Sequence, residues 1–600
     1  MALTPIVLAL NAVGEPTARR VAEALGCPLH GRVDRTNAEI TFENALDRAR
    51  DLFAAGHAVI GVCASGILIR AVAPLLADKT SEPPVLSVSD DGAVVVPLLG
   101  GHRGANRLAR QVADALGGTT AVTTAGDVAL GVALDEPPRG YALANPEDAK
   151  PVMAALLSGG GARQTGEALF DLPDGDAVEI AVTEAPEQGG SAKLVYHPQR
   201  YALGVGCARN ASPEELWENV SQVLADARVA PGAIASINTL DLKLDEPAMN
   251  ALAARLGRPL RAFSAEDLAG IEVPNPSDVV RDEVGTPSVS EASALAASGG
   301  VIVEAKRKTP NTTAALARAE APITTLKGRA RGRVSIVSLG PGQATWRSPE
   351  ASRLVQQADE LVGYGLYIDL LGPLAAGKPR TDFPLGGEED RCRHALESAA
   401  QGRNVALICS GDAGIYAMGA LVYELLSRDP ADPSAVSDGA RRVEVISNPG
   451  ISALQAAAAR AGAPLGHDFC AISLSDLLTP REDIIRRLHA AAQGDFVIAF
   501  YNPVSKRRRT LLAEARDILL QHRPADTPVL LASSLGRPEE SLRYRRLDAL
   551  QVDEVDMLTT VLIGSSHTRL LETGDGTRMF TPRGYARKMA GGDLASEGAL

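Results

Sequence analysis

Short apolar segments alternate with longer amphipathic segments along the whole chain. TPIVLAL precedes EPTARRVAEALG, AVIGVCA precedes ILIRAVAPLLA, and the same order returns in NVALICSGDAGIYAMGALVYELL. The short apolar runs indicate buried strands, and the longer segments with helical spacing indicate helices. This alternation predicts an α/β fold. Because the chain has 600 residues, we expect several such units, about three to five.

The composition argues against several functional classes. A net charge of −13 disfavours a sequence-independent grip on nucleic acid. No apolar run has the length of a membrane span and the N-terminus lacks a signal peptide, so we expect a cytoplasmic protein without a membrane partner. Six cysteines are scattered without a C-x-x-C pair, which is typical of buried thiols in a reducing compartment. No metal-binding motif is present, so no protein-bound metal is expected.

Changes in composition divide the chain into segments. Irregular Gly-rich sequence follows the first strand–helix series, and a short basic segment precedes the strand-like run RVSIVSLGPG. We predict an α/β domain at 1–145, a small domain or linker at 146–200, a second α/β domain at 201–321, a basic linker at 322–332 and a last domain at 333–600.

Two local predictions concern the second α/β domain. Ser212 is predicted to cap a helix that has Pro213 at its first position and Glu215 completing a capping box. Near the end of this domain, GGVIVEAKRK predicts a strand and NTTAALARAEA predicts a helix.

Four loops with Gly, Pro, Ser or Asn follow strand-like runs in the last domain. They are SLGPGQATWRSPEA (338–351), CSGDAGIYAMGA (409–420), SNPGISALQAAAA (447–459) and FYNPVSKRRRT (500–510). Such loops at the carboxyl ends of strands are where open α/β sheets bind ligands. The loops lack the P-loop Lys and the dinucleotide fingerprint. The pattern therefore predicts a cofactor held by backbone groups and apolar contacts.

As an ordered set, these motifs resemble the tetrapyrrole (class III) methyltransferases, which are two-lobed α/β enzymes. SGDAGIYAM, SNPGISALQAAAARAGAPLGHDF, YNPVSKRRR and LIGSSHTR are similar to precorrin-3B C17-methyltransferases of cobalamin synthesis. The resemblance implies S-adenosylmethionine as cofactor, a precorrin as substrate, ring contraction, and a homodimer formed through this half. It implies a cofactor pocket that includes Gly340, Pro341, Gly342, Ser410, Gly411, Asp412, Ile415, Ser452, Ala453, Asn502 and Gly536.

The basic run SKRRR suggests a site for an anionic substrate. Ser505 is predicted to cap a helix, which places Lys506, Arg507, Arg508 and Arg509 in its first turn. Cations there oppose the helix dipole, so an anionic partner would offset a local cost. Precorrins carry acetate and propionate groups, and arginine binds carboxylates bidentately.

Ring contraction also needs a base that takes a proton from a hydroxyl of the macrocycle. Residue type alone makes Asp412, His467 and His567 candidates, and the sequence does not choose among them.

The first 320 residues carry a second resemblance. The block that begins GVCASGILIRAVAPLL and ends GGHRGANRLARQVADAL, together with LGVGCARNASPEEL and GGVIVEAKRKTPNTTAALAR, is similar to cobalt-precorrin-5A hydrolases. The resemblance implies opening of the ring A lactone with release of acetaldehyde. An alternative is that this half is a non-catalytic module that binds or carries corrin intermediates.

Lactone opening requires a base or nucleophile and a group that polarises the carbonyl. Side chains of suitable chemistry stand near predicted strand ends at Ser65, His102, Arg103, Glu304 and Lys306. Cys63 lies inside an apolar strand, which favours a buried structural thiol.

Overall fold

The computed structural model describes residues 3–76, 82–123, 130–505 and 509–585, and these form six β-sheets flanked by helices. The predicted α/β class is confirmed. Among these residues, none of the helices is long and apolar enough to cross a membrane.

The first sheet has seven strands in the order β3-β2-β1-β4-β5-β6-β7. The strands are β1 Leu3–Ala9, β2 Leu29–Arg32, β3 Ile40–Phe42, β4 His57–Val62, β5 Val85–Val88, β6 Val94–Leu99 and β7 Thr119–Thr120, and the helices are α1 Glu15–Leu25, α2 Ala45–Ala54, α3 Ser65–Val72 and α4 Ala105–Leu116. Neighbouring strands are parallel except for β5 and β6, which are antiparallel. The carboxyl ends of β1, β4 and β5 therefore share one edge, and β6 ends at the other.

A four-stranded sheet follows, in the order β8-β11-β10-β9. Its elements are β8 Tyr141–Leu143, α5 Ala149–Leu157, β9 Ala162–Thr165, β10 Val178–Val182 and β11 Lys193–Pro198. Because β8 pairs antiparallel with β11, residues 141–143 belong to this sheet. We propose that the first domain ends a few residues before position 145.

The third sheet has the order β14-β13-β12-β16-β15. The strands are β12 Tyr201–Cys207, β13 Ile234–Leu240, β14 Leu260–Phe263, β15 Val301–Lys308 and β16 Thr312–Arg318, and the helices are α6 Pro213–Ala227, α7 Pro247–Leu256, α8 Ala265–Ala269, α9 Asp278–Val284 and α10 Val289–Ser298. The helix predicted at 311–321 is wrong, because residues 312–318 form β16 between β12 and β15.

The cap of α6 agrees with the prediction in part. Ser212 accepts a hydrogen bond from the Glu215 N–H, and a proline occupies the start of the helix. The Glu215 carboxylate, however, accepts from Thr309 and Asn311 and does not complete a capping box. It ties α6 to the turn between β15 and β16.

The C-terminal half contains two main sheets. The first is the all-parallel sheet β19-β18-β20-β17-β21. Its strands are β17 Arg333–Ser338, β18 Glu360–Tyr364, β19 Arg380–Phe383, β20 Asn404–Cys409 and β21 Glu444–Ser447, and its helices are α11 Pro349–Gln357, α12 Gly365–Asp369, α13 Glu388–Ala400 and α14 Met418–Ser427. We call it the first lobe.

The second lobe is the mixed sheet β23-β24-β27-β25-β26 with a small sheet β22-β29-β28 beside it. The strands are β22 Gly462–Ala463, β23 Phe469–Ser473, β24 Val497–Tyr501, β25 Pro528–Ser533, β26 Ser541–Arg546, β27 Thr559–Ile563, β28 Arg569–Thr573 and β29 Gly576–Phe580, and the helices are α15 Ala453–Ala461, α16 Arg481–Gln493 and α17 Thr510–Leu520.

The predicted basic linker is hydrogen-bonded to both of the units that it connects. The backbone of Arg329 exchanges two hydrogen bonds with Ala262 at the edge of the third sheet. Its guanidinium donates to Asp241 at 3.1 Å and to the carbonyl of Ala400 in the first lobe at 2.8 Å. Arg331 donates to the carbonyl of Arg442 at 2.8 Å. The arginines of this segment therefore bridge the third sheet and the first lobe.

Candidate functional site

Two of the predicted cofactor loops are joined by their backbones. The Gly340 N–H donates to the Gly411 carbonyl at 3.1 Å, and the Gly411 N–H donates to the Gly340 carbonyl at 2.8 Å. The parallel pairing of β17 with β20 brings these residues together just beyond the ends of both strands. The Gly411 N–H is therefore already used within the protein, and the place of Gly411 in the cofactor pocket stays a prediction.

Asp412 connects the same region to the turn after β21. One carboxylate oxygen accepts the Gly414 N–H at 2.8 Å, and the other accepts the Gly450 N–H at 3.0 Å. The Ser338 hydroxyl accepts the Ala413 N–H at 2.9 Å. Hydrogen bonds to a charged group are stronger than neutral ones. These bonds give Asp412 a positioning role, while its predicted role as a base stays a prediction.

Gly450 lies where a side chain cannot fit. A Cβ atom there would stand 2.3 Å from the Gly411 carbonyl oxygen and 2.6 Å from the Ser338 Cβ. Gly411 itself has φ of 70°, which only glycine adopts readily. The glycines of the second and third loops thus allow a close backbone contact that larger residues would prevent.

Aromatic side chains join this region to the second lobe. The Tyr416 hydroxyl donates to the Ala471 carbonyl at 2.9 Å, and its ring lies 5.3 Å from that of Tyr501. The Tyr501 hydroxyl accepts the Leu454 N–H at 3.1 Å. Tyr416 has φ of 53° and is half-exposed, an uncommon conformation for an aromatic residue. Sequence analysis did not single out either tyrosine, although both stand within the quoted motifs.

Ser452 and Ala453 begin the first helix of the second lobe. Ser452 is the N-cap of α15 and forms a capping box with Gln455. The Ser452 side chain is buried, and its Cα lies 3.9 Å from the Cβ position of Gly411. The third loop therefore touches the second loop from the side of the second lobe.

The first loop also meets the turn at 534–536. Gly342 and Gly536 approach so closely that a Cβ on Gly342 would lie 3.0 Å from the Gly536 carbonyl oxygen. Glu540 accepts the Gly536 N–H at 2.7 Å and pairs with Arg460, whose guanidinium stacks over Trp346. Pro341 between the two loop glycines is buried. This contact closes the first loop against the second lobe.

Ile415 and Asn502 lie in the same region, and their side chains are less buried. Ile415 is half-buried, and Asn502 is exposed with φ of 48°. The Asn502 amide donates to the Ser473 hydroxyl at 3.2 Å. Ser410 is half-buried at the end of β20.

The four loops therefore converge between the two lobes, and the groups they present fit the predicted cofactor. The backbone N–H of Asp412 has no acceptor among the described residues. A free N–H beside small residues can bind a carboxylate or carbonyl of a ligand. The set fits a ligand with an amino-acid portion better than a phosphate, which requires several free N–H groups or a cation.

The predicted anion site is only partly described. Lys506, Arg507 and Arg508 lie outside the described residues. Ser505 is not the N-cap, because α17 begins at Thr510 and Arg509 is its cap. The Arg509 guanidinium pairs with Asp553 at 2.6 Å. The two candidate histidines, His467 and His567, are exposed.

A cavity of about 260 Å³ opens at the carboxyl edge of the first sheet. It is lined by Cys63, Ala64, Ser65, Ser87, Ser89, Asp90, Val94 and Val96. The Ser87 hydroxyl donates to the Cys63 carbonyl at 2.7 Å. Burial, and then the nearby Asp90 carboxylate, raises the pKa of the Cys63 thiol to about 12. Asp90 was missed by sequence analysis, although it follows a buried strand in the segment SVSDDG.

The other N-terminal candidates lie elsewhere. His102 and Arg103 follow β6, which is antiparallel to β5, so their backbone stands at the edge opposite the cavity. The two edges are separated by the length of β5, about 13 Å at about 3.3 Å per residue. Lys306 and Glu304 belong to β15 of the third sheet, where the Lys306 ammonium donates to the Asn275 carbonyl at 2.6 Å. Arg103, Glu304 and Lys306 are not among the residues that line the cavity at Ser65.

Three family models match the chain. They are Cobalamin synthesis G N-terminal over residues 47–127, Cobalamin synthesis G C-terminus over residues 201–317, and Tetrapyrrole (Corrin/Porphyrin) Methylases over residues 333–551. The last family depends on S-adenosylmethionine. The sequence-based expectation of two differently related halves is confirmed.

Individual relatives match the C-terminal half. A precorrin-3B C(17)-methyltransferase from Sinorhizobium sp is 43% identical over 256 residues, 42% of this chain and 98% of the relative. A probable cobalt-factor III C(17)-methyltransferase from Salmonella typhimurium is 43% identical over 252 residues, 42% of this chain and 99% of the relative. The crystal structure of the methyltransferase CobJ is 38% identical and matches 42% of this chain and 100% of that chain, with a TM-score of 0.38.

Proposed function

Because the chain belongs to the tetrapyrrole methylases through its C-terminal half, we propose that this half methylates C17 of a precorrin and contracts the ring. The convergence of four loops between two lobes carries the proposal, since it creates a cleft at the carboxyl edge of an open parallel sheet. The substrate is precorrin-3B or its cobalt-containing counterpart, cobalt-factor III.

The protein's main task in this reaction is alignment. S-adenosylmethionine, when bound, supplies an already activated methyl group, so the protein must hold the macrocycle carbon in line with it. Asp412 fixes the second loop against the third, and the Asp412 N–H is placed to bind the amino-acid portion of the cofactor. Ile415 and Pro341 supply apolar contacts. The segment 506–509 is proposed to bind carboxylates of the substrate.

The N-terminal half is proposed to open the ring A lactone of cobalt-precorrin-5A. Its match to both Cobalamin synthesis G models supports this assignment. A C11 methylation separates the two reactions in the cobalt-containing route, so the product of one half is not the substrate of the other. A carrier module without catalytic activity is the alternative for this half.

The C-terminal half is further proposed to form a homodimer in a cytoplasmic protein. Exposed apolar side chains of the second lobe support an interface, among them Leu478 at 93% and Leu477 at 76% exposure. Light scattering on the purified chain tests the dimer, and a mass equal to one chain would exclude it.

Mass spectrometry of anaerobic reactions tests the two activities. The full chain would receive S-adenosylmethionine with either precorrin-3B or cobalt-factor III, because relatives of both names are 43% identical to it. Acetaldehyde would be measured after addition of a C11-methyltransferase. One added methyl on the cobalt substrate followed by acetaldehyde supports both enzymes. Methylation of the metal-free substrate alone, without acetaldehyde, supports the carrier alternative.

A further inference from the structure

The cavity at the carboxyl edge of the first sheet is too small for a whole macrocycle. Pockets that enclose drug-sized ligands measure about 300–1,000 Å³, whereas this one measures about 260 Å³. It can admit one edge of a large substrate. Its lining combines hydroxyl groups of Ser65, Ser87 and Ser89 with the carboxylate of Asp90.

Asp90 holds a carboxylate oxygen in an unfavourable environment. Its Oδ1 is buried and has no hydrogen-bond donor among the described residues. Gly14 permits this position, since a Cβ there would lie 2.6 Å from Oδ1. The Thr17 hydroxyl donates to the Asp90 carbonyl at 2.7 Å and fixes the backbone. A buried carboxylate oxygen without a donor costs free energy, so its presence calls for a functional explanation.

The N-terminus of α3 faces the same cavity. The helix begins at Ser65, and its N-cap Ala64 provides no side-chain acceptor for the first N–H groups. These groups and the helix dipole stabilise negative charge that develops on an oxygen. The cavity therefore brings together a carboxylate and an oxyanion-binding helix end, with Ser65 belonging to both the lining and the helix.

We propose that Asp90 is the general base of lactone opening and that the Ser65 end of α3 binds the lactone carbonyl oxygen. This inference rests on the hydrolase function proposed above. Asp90 takes a proton from water while the water oxygen bonds to the lactone carbonyl carbon. The ring C–O bond then breaks, and the departing oxygen takes the proton from Asp90. One water is consumed, and one carboxylic acid and one alcohol are formed. Acetaldehyde leaves when the C–C bond between the alcohol carbon and the macrocycle breaks, with the electron pair staying on the macrocycle and the hydroxyl proton passing to solvent.

The neighbouring residue offers a matched control. Asp91 is exposed, and its carboxylate accepts hydrogen bonds from the Ser89 hydroxyl and the Ala93 N–H. Asp91→Asn keeps an acceptor for that turn and makes the same chemical change one position away from Asp90→Asn. The methyltransferase activity of the same molecule reports whether each variant is folded.

The test uses full-length chain, cobalt-precorrin-5A and water labelled with ¹⁸O. We expect wild type to incorporate ¹⁸O into the new carboxylate and release acetaldehyde, and D90N to lose about 100-fold or more in rate, the usual contribution of a general base. D91N should stay within about twofold, as expected for an exposed substitution. Formate should partly restore D90A, because a small carboxylate can occupy the vacated space.

The outcomes separate the two proposals. No labelling by wild type overturns the hydrolase function and this inference with it. Labelling by wild type and by D90N at similar rates overturns the role of Asp90 alone. A slow D90N with normal methyl transfer and formate rescue of D90A supports it, and a slow D90N without rescue of D90A counts against a base and for a structural role.

Discussion

The cleft of the C-terminal half and the cavity of the N-terminal half present different kinds of chemical group. Backbone groups and glycines form the cleft, and its carboxylate, Asp412, has both oxygens hydrogen-bonded to the protein. Side chains form the cavity, and its carboxylate, Asp90, has a buried oxygen without a donor among the described residues. The proposed chemistries account for the difference. A methyl group on sulfonium arrives activated, whereas water must be activated by a protein group.

Removing the Asp412 carboxylate is the strongest test of the cleft. Asp412→Ala deletes two charge-assisted hydrogen bonds, so we expect S-adenosylhomocysteine affinity to fall by about 100-fold, or about 3 kcal/mol. Asp412→Asn should lose less, because its amide keeps one acceptor oxygen. Calorimetric titration measures both, with the exposed Asp526→Ala as control. Unchanged affinity in D412A would show that the loops hold their positions without this carboxylate.

A methyl group at Gly450 tests the backbone contact itself. The added Cβ would stand 2.3 Å from the Gly411 carbonyl oxygen, and overpacking of this kind costs about 1–3 kcal/mol. We expect G450A to bind S-adenosylhomocysteine about 10-fold more weakly and to unfold at a lower temperature. Gly574→Ala is the control, since nothing lies within 4 Å of its Cβ position. Equal binding by G450A and wild type would contradict a close contact of these loops.

The two halves should lose stability at different pH values as the solution is acidified. Burial, then the charges of Arg48 and His57, lowers the pKa of His30 in the first sheet from 6.5 to about 3. Burial by itself raises the pKa of Glu360 in the first lobe. Hydrogen bonds from Ser398, His394 and Thr381 outweigh burial and lower this pKa from 4.5 to about 2. Between the folded and the unfolded pKa of each group, the unfolded chain binds more protons than the folded chain. The free energy of unfolding therefore decreases as the pH is lowered through that range.

The pH ranges over which the first sheet and the first lobe lose stability differ, and hydrogen exchange can measure each region separately. We expect the first sheet to lose protection as pH falls from about 6.5, and the first lobe to keep its protection until about 4.5. His30→Gln retains an acceptor for Arg48 and removes the titrating group, so it should flatten the earlier loss. Simultaneous opening of both regions in wild type would argue against separate origins.

Cys63 provides the smallest expected effect. Because its thiol is buried and its pKa is raised to about 12, iodoacetamide near neutral pH should not label it in the folded chain. Cys63→Ala should keep lactone opening within about threefold. Peptide mapping measures labelling, and urea-unfolded chain is the control in which all six cysteines react. Rapid labelling of Cys63 in the folded chain would make the thiol an alternative to Asp90 as the reactive group in lactone opening.

The places of the loops could be predicted, but their connections could not. Gly, Pro, Ser and Asn mark strand ends locally, and parallel strands bring those ends to one edge. The bonds from Asp412 to Gly450 and between Gly340 and Gly411 depend on register between distant segments. No local pattern encodes that register.

Strand direction and pairing explain what local patterns could not show in the N-terminal half. The hairpin between β5 and β6 turns the chain back, so His102 and Arg103 follow a strand that ends at the other edge. The segment 312–318 is rich in alanine, which favours helices, yet it forms a strand that pairs with β12 and β15. Tertiary pairing there outweighs local helix propensity.

The fastened linker has a consequence for transfer of intermediates. Arg329 is paired with Ala262, and Arg333 already begins β17, so the free span is at most about 14 Å of extended chain. A slack tether would raise the effective concentration of one site at the other by letting them meet. This chain lacks that freedom at the junction. Its two halves are made in equal numbers, and under the proposed function a corrin leaves one half and is methylated by another enzyme before the other half can act on it.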